Sequence, residues 1–212
     1  AAGQGTCEQC PAGTFTPDSG STACRTCTAG YLCVEGSSAP QPCPGGTHAD
    51  QSILNAVGYL SNLTSDCVLC PAGTSCSVGS SQPTRCLPGS FGASAGQQAC
   101  EQCPAGTFTP DSGSTACRTC TAGYLCVEGS SAPQPCPGGT HADQSILNAV
   151  GYLSNLTSDC VLCPAGTSCS VGSSQPTRCL PGSFGASPGQ QTCEQCPAGT
   201  FTPDSGRSLI HI

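Results

Sequence analysis

The cysteines of this chain recur with a fixed period, and the residues between them recur almost unchanged. The segment Cys7-Glu-Gln-Cys-Pro-Ala-Gly-Thr-Phe returns at Cys100 and begins again at Cys193, which gives a period of 93 residues. Residues 7–99 and 100–192 differ at only two positions. A recent or homogenised duplication explains this near-identity, and so does a structure in which each copy meets the same neighbours. In either case we expect a tandem array in which each unit mainly contacts the next.

The composition decides how such an array is stabilised. Of the 212 residues, 22 are cysteine, whereas Trp and Met are absent and there are only five Phe and four Tyr. So few large apolar side chains cannot fill a core for a chain of this length, so covalent cross-links must replace it. Cysteines at this density stay paired only in an oxidising compartment, which predicts a secreted or cell-surface protein.

The charge pattern excludes several classes of partner. The formal net charge is −7, only 8% of residues are charged, and all five basic residues are Arg. Such a chain has no basic face to neutralise phosphates, so we expect no nucleic-acid partner. It also has no polybasic run for anionic lipids and no apolar run of about 18 residues, so we expect no membrane-spanning segment.

A shorter pattern lies inside each copy. The cysteines within 24–43 and those within 67–86 are separated by the same gaps of two, five and nine residues. A further short block, which starts at Cys10, completes the copy. Each copy is therefore expected to comprise about three small modules in series, none of them large enough to bury a core alone.

Pairing each cysteine with its neighbour along the chain gives a self-consistent disulfide scheme. It closes every Cys-Pro-x-Gly loop and gives the two matching blocks equivalent partners, although spacing does not exclude interleaved bonds such as Cys27–Cys43. The scheme leaves Cys7 and Cys196 without a partner in this sequence. Both ends therefore resemble cuts through a continuing array, and these two cysteines are expected to bond within further repeats or to another chain. The ten expected bonds are Cys10–Cys24, Cys27–Cys33, Cys43–Cys67, Cys70–Cys76, Cys86–Cys100, Cys103–Cys117, Cys120–Cys126, Cys136–Cys160, Cys163–Cys169 and Cys179–Cys193.

Local signals predict hairpins and one helix per copy. The Pro-Asp-x-Gly turn within residues 15–20 lies between short extended segments and predicts a β-hairpin. Thr47-His48-Ala49-Asp50 has the spacing of a capping box and precedes apolar residues at helical spacing. We expect amphipathic helices over 48–61 and 141–154, whose apolar faces pack on their own module or on a neighbouring chain. These faces consist of Ile53, Leu54, Val57 and Leu60, and of Ile146, Leu147, Val150 and Leu153.

The predicted fold is small and disulfide-rich, with little hydrophobic core. It is an elongated tandem array of short β-hairpin and loop modules, with one short helix per 93-residue repeat. Residues 1–6 are expected to end a preceding repeat, and residues 7–99 and 100–192 to form two full repeats. Residues 193–212 are expected to form a partial third repeat with a divergent tail.

One run of the repeat resembles a known extracellular module. The pattern Cys-x2-Cys-Pro-Ala-Gly-Thr-Phe-Thr-Pro-Asp-Ser-Gly-Ser-Thr-Ala-Cys-x2-Cys is similar to the ephrin-receptor-like cysteine-rich repeat and, more distantly, to the cysteine-rich modules of tumour-necrosis-factor receptors. The resemblance covers residues 7–33 and 86–126 and the segment from Cys193, and it fits the insert between Cys43 and Cys67 poorly. It implies an elongated extracellular module without implying an activity.

The resemblance also bears on bonding and setting. It agrees with the loop bonds Cys10–Cys24 and Cys86–Cys100 of the neighbour scheme. Repeats of this kind occur in receptor ectodomains and in large surface or fibrous proteins of single-celled eukaryotes. The near-identity of the copies fits the second setting better than a receptor whose modules have diverged.

Two kinds of glycosylation site are candidates. Asn62-Leu-Thr and Asn155-Leu-Thr are Asn-x-Thr acceptors without an intervening proline, so we expect N-glycans at both asparagines. Thr16 and Thr109 each precede a proline among Ser/Thr-rich loops and are candidates for O-linked sugar.

A metal site is the main alternative interpretation of the cysteines. Cys7-x2-Cys10-x13-Cys24-x2-Cys27 is compatible with a four-cysteine zinc site. The further cysteines at Cys33 and Cys43, the acidic charge and the sequons favour structural disulfides instead. A thioredoxin-like centre would require a βαβ context, which is absent. We therefore expect no metal and no cofactor.

The sequence also contains no arrangement typical of catalysis. Its histidines are His48, His141 and His211, and the carboxylate beside His48 is most simply a helix cap. No paired-carboxylate motif, phosphate loop or calcium loop is present. The prediction is that the protein is not an enzyme.

Two functions remain. The chain is interpreted as the structural subunit of an extracellular, glycosylated fibril or surface filament that self-associates or continues as further repeats. The alternative is a receptor or adhesin stalk that acts as a ligand-binding module. A binder should present clustered aromatic or Arg side chains, whereas here they are scattered singly, which favours the fibre.

Overall fold

Within the part of the chain that the structure describes, regular structure consists almost entirely of two-stranded antiparallel β-hairpins. This confirms the predicted fold class, which is small, disulfide-rich and built from tandem hairpin modules. A computed structural model describes residues 7–50, 52–53, 66–143, 145–146, 159–202, 205 and 210–211.

Among the described residues, five hairpins begin in the first copy of the repeat, and not the three modules expected from the cysteine gaps; the fifth hairpin ends just inside the second copy. Each hairpin joins two strands that are consecutive along the chain, from β1 with β2 to β9 with β10. The strands are β1 (Thr14–Phe15), β2 (Arg25–Thr26), β3 (Tyr31–Leu32), β4 (Gln41–Pro42), β5 (Thr47–Ala49), β6 (Cys67–Leu69), β7 (Thr74–Ser75), β8 (Thr84–Arg85), β9 (Ser90–Phe91) and β10 (Glu101–Gln102).

The second copy repeats these hairpins 93 residues later, and one further hairpin follows it. Pairing again joins consecutive strands, from β11 with β12 to β21 with β22. The strands are β11 (Thr107–Phe108), β12 (Arg118–Thr119), β13 (Tyr124–Leu125), β14 (Gln134–Pro135), β15 (Thr140–Ala142), β16 (Cys160–Leu162), β17 (Thr167–Ser168), β18 (Thr177–Arg178), β19 (Ser183–Phe184), β20 (Glu194–Gln195), β21 (Thr200–Phe201) and β22 (Ile210–His211).

Each hairpin is started by a tight turn that the sequence Cys-x-x-Gly encodes. In the first of these turns, the Thr14 amide donates to the Pro11 carbonyl at 3.1 Å, and the Thr14 hydroxyl donates to the same oxygen at 2.7 Å. Gly13 lies between them with φ +85°, the left-handed conformation that a type II turn needs at this position. We define a module as the segment that begins at the cysteine of such a turn. The modules of the two copies begin at Cys10, Cys27, Cys43, Cys70 and Cys86, and at Cys103, Cys120, Cys136, Cys163 and Cys179.

Disulfides close each module separately. The structure contains ten, and they join the same partners as the neighbour scheme. Every bond starts at the first cysteine of its module and ends within that module, as Cys10–Cys24 and Cys27–Cys33 do. Across the described residues, which include all 22 cysteines, no disulfide joins two modules. Strands of two or three residues are too short to be stable alone, so the disulfides add support to the modules that contain them.

The small apolar core of each copy lies around one of these staples. In the first copy the buried residues are Leu32, Cys43, Ala49 and Cys67, and Ile53 packs against them. The second copy has an equivalent cluster, which consists of Leu125, Cys136, Ala142 and Cys160 with Ile146. The sulfur atoms of a disulfide thus supply much of the apolar surface that Leu or Phe supplies in larger domains.

The predicted start of the helix was wrong. Thr47–Ala49 forms strand β5, which pairs with β6 in the register Thr47↔Leu69, His48↔Val68 and Ala49↔Cys67. This pairing is imposed by the Cys43–Cys67 bond, which brings the ends of the insert together and overrides the local capping signal. The same correction applies to the second copy at Thr140–Ala142. Most of the predicted segments 48–61 and 141–154 lie outside the described residues.

Asp50, and not Thr47, acts as a cap. Ser52 and Ile53 have helical geometry, and the Asp50 carboxylate accepts hydrogen bonds from the Ser52 amide at 2.8 Å and the Ser52 hydroxyl at 2.6 Å. These bonds to Ser52 lower the pKa of Asp50, because they stabilise its charged form. Asp143 and Ser145 repeat the arrangement in the second copy.

The chain divides into two compact units. The first comprises Ala1–Leu87, Phe91–Glu101 and Ser112–Ala116. The second comprises Pro88–Ser90, Gln102–Asp111 and Cys117–Ile212. In each unit, the turn glycine of one module lies against the loop glycine two modules further on. In the first unit, a Cβ atom built on Gly46 would clash with the carbonyl oxygen of Gly96; in the second, one on Gly139 would clash with that of Gly189.

Mapping of disulfide-linked peptides without reduction should recover the bond pattern of the structure. We expect five linked pairs in each copy, with identical spacing in the two copies. A Cys24–Cys27 or Cys27–Cys43 linkage would contradict the arrangement, since either would join two modules.

Replacing Gly89 by alanine should destabilise the chain more than the same change at Gly182. The two glycines lie in identical local sequence with φ +85° and +83°, so both variants pay about 1–2 kcal/mol of backbone strain. Only at Gly89 would the new Cβ clash with the Gly129 carbonyl, whereas at Gly182 no atom of the described residues lies within 4 Å of the new Cβ. Overpacking of this kind adds roughly 1–3 kcal/mol.

Thermal unfolding followed by circular dichroism, without reductant, measures the difference. Gly182→Ala serves as the matched control for backbone strain. Equal losses in the two variants would show that the close approach to Gly129 does not contribute to stability.

Candidate functional site

Backbone atoms form the contacts between neighbouring modules. At the junction between the modules that begin at Cys43 and Cys70, the Gly46 amide donates to the Cys76 carbonyl at 2.7 Å. In return, the Gly79 amide donates to the Cys43 carbonyl at 2.8 Å. The turn glycine of one module and the loop glycine of the next thus donate in opposite directions, so the two modules are joined at two points.

The same pair of bonds recurs at other junctions in both units. Gly13 donates to Cys33 and Gly36 to Cys10, each at 2.8 Å, in the first unit. In the second unit, the junction that repeats Gly46 and Gly79 has Gly139 donating to Cys169 and Gly172 donating to Cys136, each at 2.8 Å. We call these two glycine amides and their carbonyl acceptors the junction face.

Glycine is needed at the junction face because another chain segment occupies the space of a side chain. At Gly79, which has φ +77°, a Cβ would lie 3.1 Å from the Tyr31 ring. At Gly30 it would clash with the Gly79 carbonyl oxygen. The backbone of the turn therefore packs directly on the backbone of the loop, and the tyrosine ring packs directly on the loop glycine. Tyr124 makes the same contact with Gly172.

The sequence interpretation missed the junction face, although a signal was present. The motif Cys-x-x-Gly occurs at five places in each copy, and a second glycine follows within most of the modules. Counting this motif instead of the cysteine gaps would have identified five modules. It would not have shown that the turn glycine of one module interacts with a different module, and not with the loop glycine of its own module.

The residues chosen from sequence as an apolar interface are only partly described. Ile53 and Ile146 pack on the core of their own copy. The remaining members of those two apolar faces lie outside the described residues, as do the sequon asparagines Asn62 and Asn155.

The two candidate O-glycosylation sites have different environments. Thr16 is half-buried, whereas the identical position in the second copy, Thr109, is only 2% exposed. A glycosyltransferase that acts on the folded chain cannot reach a hydroxyl so deeply buried, which disfavours Thr109.

Two cysteines remain unpaired in the structure. Cys7 is exposed, and Cys196 is partly exposed with its Sγ 3.8 Å from the Thr202 hydroxyl oxygen. In the register of the repeat, Ile210 occupies the place of Cys117, the partner of Cys103. The hairpin of β21 with β22 nevertheless forms, with Phe201 paired to Ile210.

The zinc interpretation concerned Cys7, Cys10, Cys24 and Cys27, of which the last three are disulfide-bonded. Cys10 is bonded to Cys24 and Cys27 to Cys33, so these sulfurs are not thiolates that could bind a metal. Over the described part of the chain, no group of three His, Cys, Asp or Glu residues has the arrangement of a metal site.

The histidines of the two copies lie against backbone. His48 Nδ1 lies 2.8 Å from the Ala49 carbonyl oxygen, and His141 has the same neighbour at Ala142. His48 lies in strand β5 and His141 in strand β15. Each forms an isolated parallel β-bridge with a serine of the following module, His48 with Ser80 and His141 with Ser173.

Exposed apolar side chains form the other surface feature that both copies share. Leu87 is 72% exposed and Leu69 is 64% exposed, with smaller exposure at Val34 and Val78. Their equivalents in the second copy, Leu180, Leu162, Val127 and Val171, are exposed to the same extent. Among the described residues, none of the helices has the length and apolar character needed to cross a bilayer.

A protein-family model matches part of the chain. Residues 73–120 match the family model described as tyrosine-protein kinase ephrin type A/B receptor-like. The matched segment contains the bonds Cys86–Cys100 and Cys103–Cys117. No curated protein sequence matches the chain significantly. The chain therefore contains an ephrin-receptor-like segment within its disulfide-rich repeats, which indicates an extracellular or secreted protein.

Proposed function

We propose that the chain is a structural subunit of an extracellular, glycosylated fibril or surface filament. Residues 7–99 and 100–192 are its repeating units. The observation that supports this most strongly is the junction face, which recurs with the same donors and acceptors 93 residues apart.

The chemistry of the junction face favours open-ended assembly. The turn glycine of a module donates its amide to a carbonyl of the next module, as Gly46 does to Cys76. The first cysteine of the same module accepts, through its carbonyl, the amide of the next module's loop glycine, as Cys43 does from Gly79. Such a contact is heterologous, since the two modules use different atoms, and heterologous contacts that do not close into a ring extend without limit. Backbone groups serve as donors and acceptors, so the contact tolerates any sequence that supplies the two glycines.

The surface is compatible with a sugar-coated fibre. Only 8% of the residues are charged, and the described ion pairs Arg25–Asp18 and Arg118–Asp111 are both exposed. Exposed pairs of this type contribute little to stability. Disulfides within every module also limit proteolysis, because a protease gains access only to short loops.

The exposed leucines support a second candidate function. Leu69 and Leu87 project an apolar surface at the same place in each copy. Repetition of one apolar surface is suited to a receptor or adhesin stalk, which would bind a partner at several points along its length. This function and the fibre make different demands, since only the fibre requires copies of the chain to associate.

Imaging of the native particle should show an axial repeat that corresponds to one 93-residue unit. The chain with Gly46→Ala and Gly139→Ala should form fewer or shorter filaments. The new Cβ atoms would clash with the carbonyl oxygens of Gly96 and Gly189, respectively. Leu87→Ser with Leu180→Ser is the matched control, since both leucines are exposed and the junction face is unchanged. A compact monomer without axial repeat contradicts the fibre, and loss of a bound partner in the leucine variant alone favours the stalk.

Material from the natural source should carry N-glycans on both Asn62 and Asn155. The secretory argument applies equally to the two copies, so occupancy should be similar at the two sites. Mass spectrometry of intact glycopeptides measures it, with enzymatic deglycosylation in ¹⁸O water as the control. An unmodified asparagine at both sites would count against passage through the secretory pathway.

A further inference from the structure

The positions of the disulfides determine how far this chain extends when it is pulled. In the first copy the five bonds join residues that are 14, 6, 24, 6 and 14 positions apart. Together they close 64 of the 93 positions into loops, so 29 remain on the covalent path outside them. The second copy has the same five separations.

The free positions are unevenly distributed. Between Cys33 and Cys43, and again between Cys76 and Cys86, ten positions separate one bond from the next. Elsewhere only three positions intervene, as between Cys24 and Cys27. Extension is therefore concentrated in two short segments per copy, which lie inside modules and, in the first copy, contain strands β4 and β8.

The hydrogen bonds that hold modules together are weaker than the disulfides that limit how far the chain extends. Modules are joined by hydrogen bonds such as those from Gly46 to Cys76 and from Gly79 to Cys43, and no disulfide crosses a junction among the described residues. Hydrogen bonds exchange with water when modules part, whereas the loops inside modules are closed covalently.

We infer that the chain is a tether of restricted extension, in which the junctions and the β-hairpins open under tension while every disulfide loop stays closed. This property goes beyond the proposed function, because it belongs to a single chain and does not require filaments. It suits a protein that bears load, since hydrogen bonds open before covalent bonds do and reform when tension falls. The disulfides then set the limit at which further extension would require breaking a covalent bond.

The limit follows from the covalent path. Each extended residue contributes about 3.5 Å, so 93 residues without disulfides reach about 330 Å. With the bonds intact, the 29 free positions and the five bond spans, whose Cα–Cα distances lie between 5.6 and 6.3 Å, reach about 130 Å. Each copy is thus restricted about 2.5-fold.

Single-molecule force spectroscopy on the whole 212-residue chain tests the inference. Peptide-tag ligation at the two termini provides handles that do not use the free thiols Cys7 and Cys196. We expect a final contour length of about 350 Å for the oxidised chain and about 740 Å after reduction with dithiothreitol, an increase of about twofold. An oxidised chain that extends to the reduced length would overturn the inference.

Two paired variants make the test specific to individual loops. Cys43→Ser with Cys67→Ser should add about 80 Å to the oxidised contour length, because it opens a loop of 24 positions. Cys70→Ser with Cys76→Ser should add only about 15 Å, because that loop has 6 positions. Contour length depends on covalent connectivity alone, so the readout is valid even where a variant does not fold. Equal increments in the two variants would contradict the arrangement of loops.

Filament formation by the same preparations is scored separately by imaging. Monomers that show the expected contour lengths but form no filaments would contradict the fibre and leave the tether intact. Filaments built from chains that show no restriction would do the reverse.

Discussion

The two opposed hydrogen bonds at each junction are the interaction on which the arrangement of modules depends. A hairpin of two-residue strands buries almost nothing, and its disulfide fixes only its own loop. What orients one module on the next is the pair of glycine amides, such as those of Gly46 and Gly79, that donate to carbonyls across the junction. Their donors come from successive modules, so neither bond forms unless both modules are folded.

Glycine has two roles in these junctions, and both follow from the absence of a Cβ. At Gly46 a positive φ turns the chain sharply after the cysteine, and the amide then points towards the next module. The space that a Cβ atom of Gly46 would occupy is also filled by the carbonyl of Gly96, which comes from two modules further on. A fold with so few large apolar side chains gains close packing by bringing backbone into contact with backbone, where a larger domain would use side chains.

The separate locations of disulfides and of inter-module hydrogen bonds underlie the restricted extension that we infer for the chain. Every disulfide lies inside a module, whereas successive modules are joined by hydrogen bonds such as those from Gly46 to Cys76 and from Gly79 to Cys43. A chain without disulfides would extend over all of its positions, whereas the disulfide loops remove most of each copy from the covalent path. The arrangement found here allows separation at the junctions and retains each loop, which is consistent with an extracellular protein that experiences tension.

Much of the fold could be predicted from the sequence because cysteine spacing and turn chemistry act locally. The 93-residue period, the hairpins, the disulfide-rich class and the resemblance around residues 86–126 all follow from residues that are close along the chain. The start of the helix could not be predicted, since Thr47 and Asp50 lie within a capping pattern that is satisfied equally well by a strand followed by an Asp50 cap. The Cys43–Cys67 bond and the pairing of Ala49 with Cys67 decided between the two.

The sequence by itself determined that this is an oxidised, tandemly repeated chain whose modules are stapled by short loops. Only the tertiary structure decided which glycines meet. Gly46 and Gly96 are 50 residues apart and no local pattern links them, yet they come into contact because the modules between them stack at a spacing set by the junction hydrogen bonds. Contacts between modules depend on how successive hairpins are oriented, and that orientation is a property of the packed array that no single module encodes.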